Sequence, residues 1–129
     1  MTASKRRPRL LIIDDDADIR DVVVVLFEQR GFDVDAVADG IDAVQLAKDY
    51  DVILLDLNMP VFDGERLADY WALTEPARLQ RVIVLSGYSR FTRGRKISGF
   101  ASVRKPFDTK ELVEVVDRCV AGRDDGMTG

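Results

Sequence analysis

The chain has 129 residues, 47% of them hydrophobic and 33% charged, which suffices for one packed core but not for a two-domain enzyme. Its 19 Lys and Arg against 23 Asp and Glu give a net charge of −4, which argues against a general polyanion binder, and the single cysteine, Cys119, excludes an internal disulfide. Histidine is absent, so Ser-His-Asp catalysis, histidine-rich zinc sites and phosphohistidine carriage are excluded as well.

The basic start, Met1 to Arg9, is followed by only four apolar residues before three aspartates, so it lacks the apolar segment of a signal peptide. No apolar run is long enough to span a bilayer, and a cytoplasmic protein is expected. Leu10 to Ile13 reads as a buried parallel strand that stops at Asp14-Asp15-Asp16. Ile19, Val22, Val23 and Leu26 then recur at helical spacing, predicting a helix over 17–30 with Gly31 as a left-handed C-cap. The alternation repeats with Phe32 to Val37 as strand, Gly40 to Asp49 as helix, and Val52 to Leu55 as a strand running into Asp56. Asp63 to Leu73 reads as a third helix that ends before Pro76, and Arg81 to Leu85 as a fourth strand opening into Ser86-Gly87. Over Ser89 to Ser98 helix propensity is poor, so a fourth helix would be short or irregular, and Phe100 to Val103 makes a weak fifth strand. Asp108 can cap a last helix, with Glu111 at the capping-box position, an apolar stripe of Leu112, Val115, Val116 and Cys119, and a stop at Gly122.

Five βα units with right-handed crossovers predict an α/β fold, an open parallel sheet covered on both faces. A basic N-terminal tail over 1–8, one domain over 9–121 and a C-terminal tail over 122–129 are expected. On the first helix, Val24, Val25 and Phe27 either extend the buried face or make a dimer contact, and burial is preferred. Trp71 and Tyr70 are read as packing residues, and Cys119 as a small buried hydrophobe.

Open α/β sheets bind ligands beyond the carboxyl ends of their strands, where strand order reverses. Asp14 and Asp15 follow strand one, Asp56 strand three, Ser86 strand four and Lys105 strand five. Two carboxylates about 5 Å apart repel by roughly 3 kcal/mol at an effective dielectric of 20, so such a cluster calls for a cation. Hard oxygen donors with room for water suit Mg²⁺ better than zinc. Acidic residues at helix starts also complement helix dipoles. That accounts for Asp16 and Asp18, but not for Asp56, which ends an apolar strand with no helix beginning until after Pro60. An ammonium and a hydroxyl facing a metal-loaded carboxylate supply what a phosphoryl group on Asp56 requires, namely charge neutralisation and a hydrogen-bond donor.

Leu-Leu-Ile-Ile-Asp-Asp-Asp (10–16), Leu-Leu-Asp-Leu-Asn-Met-Pro (54–60) with Asp63-Gly64, Val-Leu-Ser-Gly (84–87) and Lys-Pro-Phe (105–107) together resemble the receiver domain of two-component response regulators, over about residues 9–121. The resemblance implies a flavodoxin-like, doubly wound (βα)5 sheet of strand order 2-1-3-4-5. It implies Asp56 as phosphoacceptor, Asp15 as a direct Mg²⁺ ligand, Asp14 as a largely water-mediated one, and the Asn58 backbone carbonyl as a further ligand. Ser86 would be the switch hydroxyl and Lys105 the contact to the phosphoryl oxygens, across a cis Lys105-Pro106 bond. The implied protein is no enzyme acting on a separate substrate. It catalyses its own phosphorylation, from a phosphohistidine of a sensor histidine kinase or histidine phosphotransfer protein, and its own dephosphorylation, with Tyr88 shielding the acyl phosphate. As a single-domain regulator, it would signal or relay through a downstream protein target as a monomer or weak dimer, with no nucleic acid or membrane involved.

Two departures from the family pattern stand out. The aromatic switch residue usual three positions before the lysine is here Ser102, for which Phe100 could substitute, and the span from Ser86 to Lys105 is about three residues short. Residues 76–107 also hold eight basic residues (Arg78, Arg81, Arg90, Arg93, Arg95, Lys96, Arg104 and Lys105) and no acidic one. They form either a solvated face or a docking face for an acidic protein surface. Competing readings are a pseudo-receiver used only for protein contacts and a haloacid-dehalogenase-type phosphatase. In the phosphatase the nucleophile precedes the acidic pair and a second carboxylate stands where this chain has Asn58. A flavin-binding module of the same fold is set aside because three aspartates would repel its phosphate.

Overall fold

The computed structural model describes residues 7–46, 49–57, 64–86 and 101–128. Its five strands, β1 (Arg9–Ile13), β2 (Asp33–Val37), β3 (Val52–Asp56), β4 (Val82–Ser86) and β5 (Ala101–Arg104), form one parallel sheet of order β2-β1-β3-β4-β5. This is the flavodoxin-like arrangement, and the strand order turns back between β1 and β3.

The three central strands are apolar at nearly every position because both faces of the sheet are covered. Leu10, Ile12, Val52, Leu54, Ile83 and Leu85 face one layer, where they pack with Val23 and Phe27 of α1 (Ala17–Glu28) and Leu112, Val115, Val116 and Cys119 of α4 (Thr109–Thr128). Leu11, Ile13, Ile53, Leu55, Val82 and Val84 face the other, against Ala43 of α2 (Gly40–Gln45) and Leu67, Ala68 and Trp71 of α3 (Gly64–Thr74). The alternation is the period of two that a pleated strand imposes. The outer strands are more polar: β2 carries Asp33 and Asp35, charges that keep a sheet edge from pairing with another chain.

Capping follows the side-chain chemistry. Asp16 ends its strand-to-helix turn in extended backbone and accepts from the N–H groups of Asp18 and Ile19, satisfying two of the donors a helix start leaves open. At the other end of α1, Gly31 takes φ +91°. Its N–H donates to Glu28 O and that of Phe32 to Phe27 O, the paired bonds of a Schellman stop, with the Phe27 and Phe32 rings edge to face at 5.2 Å. Asp108 accepts from the Lys110 N–H as the cap of α4.

Several expectations need correction. Gly122 does not end the last helix, which continues to Thr128. A glycine stops a helix where φ turns positive, and among the described residues only Gly31 does so. The second helix ends at Gln45 rather than Asp49, because Leu46 turns extended (φ −80°, ψ 121°). That departure brings Tyr50 into the core, its hydroxyl donating to Asp35 Oδ2 at 2.6 Å. Burial first, then Asp35 as acceptor and as a negative charge, hold the Tyr50 phenol above the usual tyrosine range. Arg81 lies not in the fourth strand but in a 3₁₀ helix, Pro76–Arg81, with Pro76 in its first turn and Leu79 as its buried anchor. On α1, Phe27 is buried and Val24 half-buried, but Val22 and Val25 are exposed. Trp71 is buried while Tyr70 is partly exposed, and Cys119 is buried. The expected helix over 89–98, Asn58, Tyr88 and Phe100 lie outside the described residues.

Candidate functional site

Strands β1 and β3 end side by side, Ile13 in register with Leu55, so Asp14 and Asp56 emerge as neighbours. Both are buried, whereas Asp15, one residue further along the turn, is exposed. One carboxylate oxygen from each of Asp14, Asp15 and Asp56 lies within 4.8 Å of the others. The turn that carries the pair is tied at several points: Asp14 N–H donates to Val37 O (3.1 Å), Asp16 N–H to Asp14 Oδ1 (2.9 Å), and Arg20 Nη1 to Asp14 O (2.8 Å).

Strand β5 delivers the cation. Lys105 follows its last residue, donates its backbone N–H to Ser86 O (2.9 Å), and enters a cis bond to Pro106, as the family resemblance implied. Its Nζ stands 2.8 Å from Asp14 Oδ2 and 3.5 Å from Asp56 Oδ1. Desolvation is the largest influence on this ammonium and pulls its pKa down. The contact with Asp14 and its charge, followed by those of Asp56, outweigh it, so the Lys105 pKa is raised above the usual 10.5. Ser86 closes the group: Asp56 pairs in register with Leu85, and Ser86 is the next residue along β4.

One ammonium does not balance three carboxylates. The Lys105 ammonium, 2.8 Å away, is the described neighbour of the buried Asp14 Oδ2, and the acceptor capacity of that oxygen is only partly used among the described residues. A cation or a water held by one would satisfy it, and an all-oxygen donor set suits a hard ion such as Mg²⁺. The residues therefore fit the metal that the pattern of aspartates suggested.

One residue at the site was not singled out from the sequence, and another entered only as part of a motif. Arg20, one turn into α1, reaches back to the Asp14 carbonyl, and its spacing from Asp16 was the only available signal. Gly64, named in the sequence only within the Asp63-Gly64 motif, opens α3 directly against the acceptor strand, where a Cβ would collide with Asp56 O and come within 2.8 Å of Leu57 Cα. Ser102, in the usual place of the switch aromatic, is exposed on β5 opposite Val84. Lys105 also lines a cleft of about 740 Å³ with Ile19, Val22, Pro106 and Phe107. Of the basic stretch 76–107, Arg78 pairs with Glu75 and lies over the Trp71 ring, and Arg81 pairs with Asp49.

A family model for the response regulator receiver domain matches residues 10–117. Protein Rrf1 of Nitratidesulfovibrio vulgaris is 35% identical over 115 residues, covering 88% of this chain and 83% of that protein. Of curated relatives such as RpaA of Synechocystis and CtrA of Caulobacter vibrioides, 36% and 32% identical, the chain spans about half the length. Among solved structures, the receiver domain of the Francisella response regulator 1452 superposes with a TM-score of 0.81 at 30% identity, over 91% of this chain and 99% of that one. The Thermotoga maritima response regulator TrrA, solved in complex with Mg²⁺-BeF, gives a TM-score of 0.77 at 25% identity, over 87% of this chain and 98% of that one. Strand order, the aspartates at the strand ends and the sequence match agree: the chain belongs to the response regulator receiver domain family of two-component signal transduction.

Proposed function

We propose that this receiver domain accepts a phosphoryl group on Asp56 from a phosphohistidine of a sensor histidine kinase or histidine phosphotransfer protein in the cytoplasm. The carrying observation is the convergence of Asp14, Asp15 and Asp56 within 4.8 Å, with Lys105 on two of them. Asp14, Asp15, Asp56 and the Asn58 carbonyl would hold Mg²⁺, which supplies charge neutralisation for the transferring phosphoryl oxygens. TrrA, as a Mg²⁺-BeF complex, supports this assignment by likeness.

In the proposed step, an Asp56 carboxylate oxygen attacks phosphorus in line. The P–N bond breaks and its electron pair stays on the donor imidazole nitrogen. Lys105, already within 3.5 Å of Asp56 Oδ1, takes up contact with a phosphoryl oxygen. The Ser86 hydroxyl, at the adjoining strand end, donates to another. Hydrolysis of the acyl phosphate by water returns Asp56 to the carboxylate. The domain thus acts on itself and passes its state to a downstream protein as a monomer or weak dimer. The basic residues of 76–107 would favour an acidic partner surface.

Intact mass after incubation with Mg²⁺ and acetyl phosphate tests the reading. One phosphate increment on the parent, lost with chelator and in Asp56→Asn, is expected. Equal increments on parent and Asp56→Asn would misplace the acceptor, and no increment on the parent would leave a protein-contact module.

A further inference from the structure

The three anchors on the Asp14–Asp16 turn differ in kind. Two are made by groups that belong to the turn itself: the Asp14 N–H to Val37 O and the Asp16 N–H to Asp14 Oδ1. The third comes from outside. Arg20 is seated on α1, its N–H donating to Asp16 O at 3.1 Å, and its half-buried guanidinium donates to the Asp14 carbonyl at 2.8 Å.

That carbonyl oxygen lies in the peptide plane joining Asp14 to Asp15. Holding it fixes the rotation of the plane, which sets ψ of Asp14 and φ of Asp15 and so the direction in which the Asp15 side chain leaves the backbone. Asp15 is exposed, whereas the Asp14 carboxylate already has Asp16 N–H and Lys105 as neighbours. The exposed carboxylate is therefore the member of the cluster that most needs its backbone fixed. Arg20 does not touch a carboxylate in this arrangement; it touches the backbone between two of them. A positive charge near a cation site opposes cation binding, so its presence is favourable only if the geometric gain exceeds the repulsion.

We propose that Arg20 is a positioning residue for the divalent-cation site, locking the Asp14–Asp15 peptide so that both carboxylates stand ready before the ion arrives. This rests on the phosphoacceptor reading above. It acts through the donor it presents to Asp14 O, and a preorganised site binds more tightly because less ordering remains to be done on binding. Loss of a charge-assisted hydrogen bond from such a site predicts a fall of about tenfold in Mg²⁺ affinity.

The test is calorimetric titration of Mg²⁺ into the full chain as parent, Asp15→Asn, Arg20→Ala and Arg20→Lys, with thermal unfolding in metal-free buffer to establish that each is folded. The expected result is clear binding by the parent, strong weakening in Asp15→Asn, and an approximately tenfold higher Kd in Arg20→Ala. Arg20→Lys, which keeps a cationic donor, recovers most of that loss. The Mg²⁺ concentration for half-maximal phosphoryl uptake from acetyl phosphate shifts by the same factor in Arg20→Ala, while the rate at saturating Mg²⁺ returns toward the parent's. A general loosening of the fold would not produce that split. Failure of the parent to bind Mg²⁺, or binding by Asp15→Asn as tight as the parent's, overturns the metal-site reading and the role of Arg20 with it. Normal parent and Asp15→Asn behaviour, with Arg20→Ala binding Mg²⁺ as tightly as the parent or more so, overturns the role of Arg20 alone. So does an equal loss in the folded Lys and Ala variants.

Discussion

Replacing Lys105 with methionine keeps most of the side chain's length and removes its charge, which isolates the ion pairs that hold the acidic cluster together. At an effective dielectric of 20, contacts of 2.8 and 3.5 Å correspond to gross attractions of roughly 6 and 5 kcal/mol. Most of this is offset by the desolvation of the ammonium and of the buried Asp14 and Asp56. Removing one member of a buried pair costs about 3–5 kcal/mol, and the remaining exposure of Lys105 places this case near the lower end, at about 3 kcal/mol. For a chain of this length that corresponds to a fall in Tm of roughly 10 °C in metal-free buffer. Added Mg²⁺ narrows the gap, because the cation balances the carboxylates that Lys105 had balanced. The pH dependence is also fixed in sign. Since the folded pKa of Lys105 is raised above the unfolded value of 10.5, its stabilisation is fully present below that pH and is lost as pH rises through the folded value. The difference between parent and Lys105→Met should therefore be flat from neutral pH to about 10 and shrink only above it. Thermal and urea unfolding at several pH values measure this. A variant melting within a degree or two of the parent at neutral pH without metal would refute the assignment of Lys105 as the counter-charge of the cluster.

Two glycines separate steric from conformational cost. Gly64→Ala places a Cβ against the Asp56 carbonyl and Leu57 Cα, both backbone atoms that cannot turn aside. A loss of about 2 kcal/mol by urea denaturation and slower phosphoryl uptake are expected, because the end of β3 must move. Gly31→Ala meets nothing within 4 Å, and its cost comes from φ +91° alone. That predicts about 1 kcal/mol of lost stability with phosphoryl uptake unchanged.

The strand ends were legible because buried parallel strands are apolar runs, and the abrupt change at Asp14, Asp56 and Ser86 marks where each leaves the core. Lys105 acquired meaning only beside them, since a lysine after a short strand is ordinarily solvated; the motif resemblance and then the 2.8 Å contact with Asp14 gave it a partner. Features that depend on where backbone meets backbone were not legible. No periodicity announces that a Cβ at Gly64 would meet the Asp56 carbonyl, or that the Arg20 guanidinium returns to a peptide oxygen. The stop expected at Gly122 failed because glycine permits a left-handed turn without requiring one. Val22 and Val25 read as core on hydrophobicity, but it is Val23 and Phe27 that are buried against the sheet, with Ile19 and Leu26 packed beside them, and Val22 lines the cleft beside Lys105 instead. The 3₁₀ helix of Pro76–Arg81 was hidden because Pro76 marks the end of one helix and the first turn of the next element equally well.

The central claim is that a single aspartate at the end of β3 carries the phosphoryl group. Borohydride reduces an acyl phosphate to the corresponding alcohol, so treatment of the chain after Mg²⁺ and acetyl phosphate, followed by peptide mass mapping, reads the acceptor directly. The account predicts conversion of Asp56 alone to homoserine, abolished by chelation of Mg²⁺. Conversion at Asp14 or Asp15, or conversion at Asp56 that persists without a divalent cation, would contradict it.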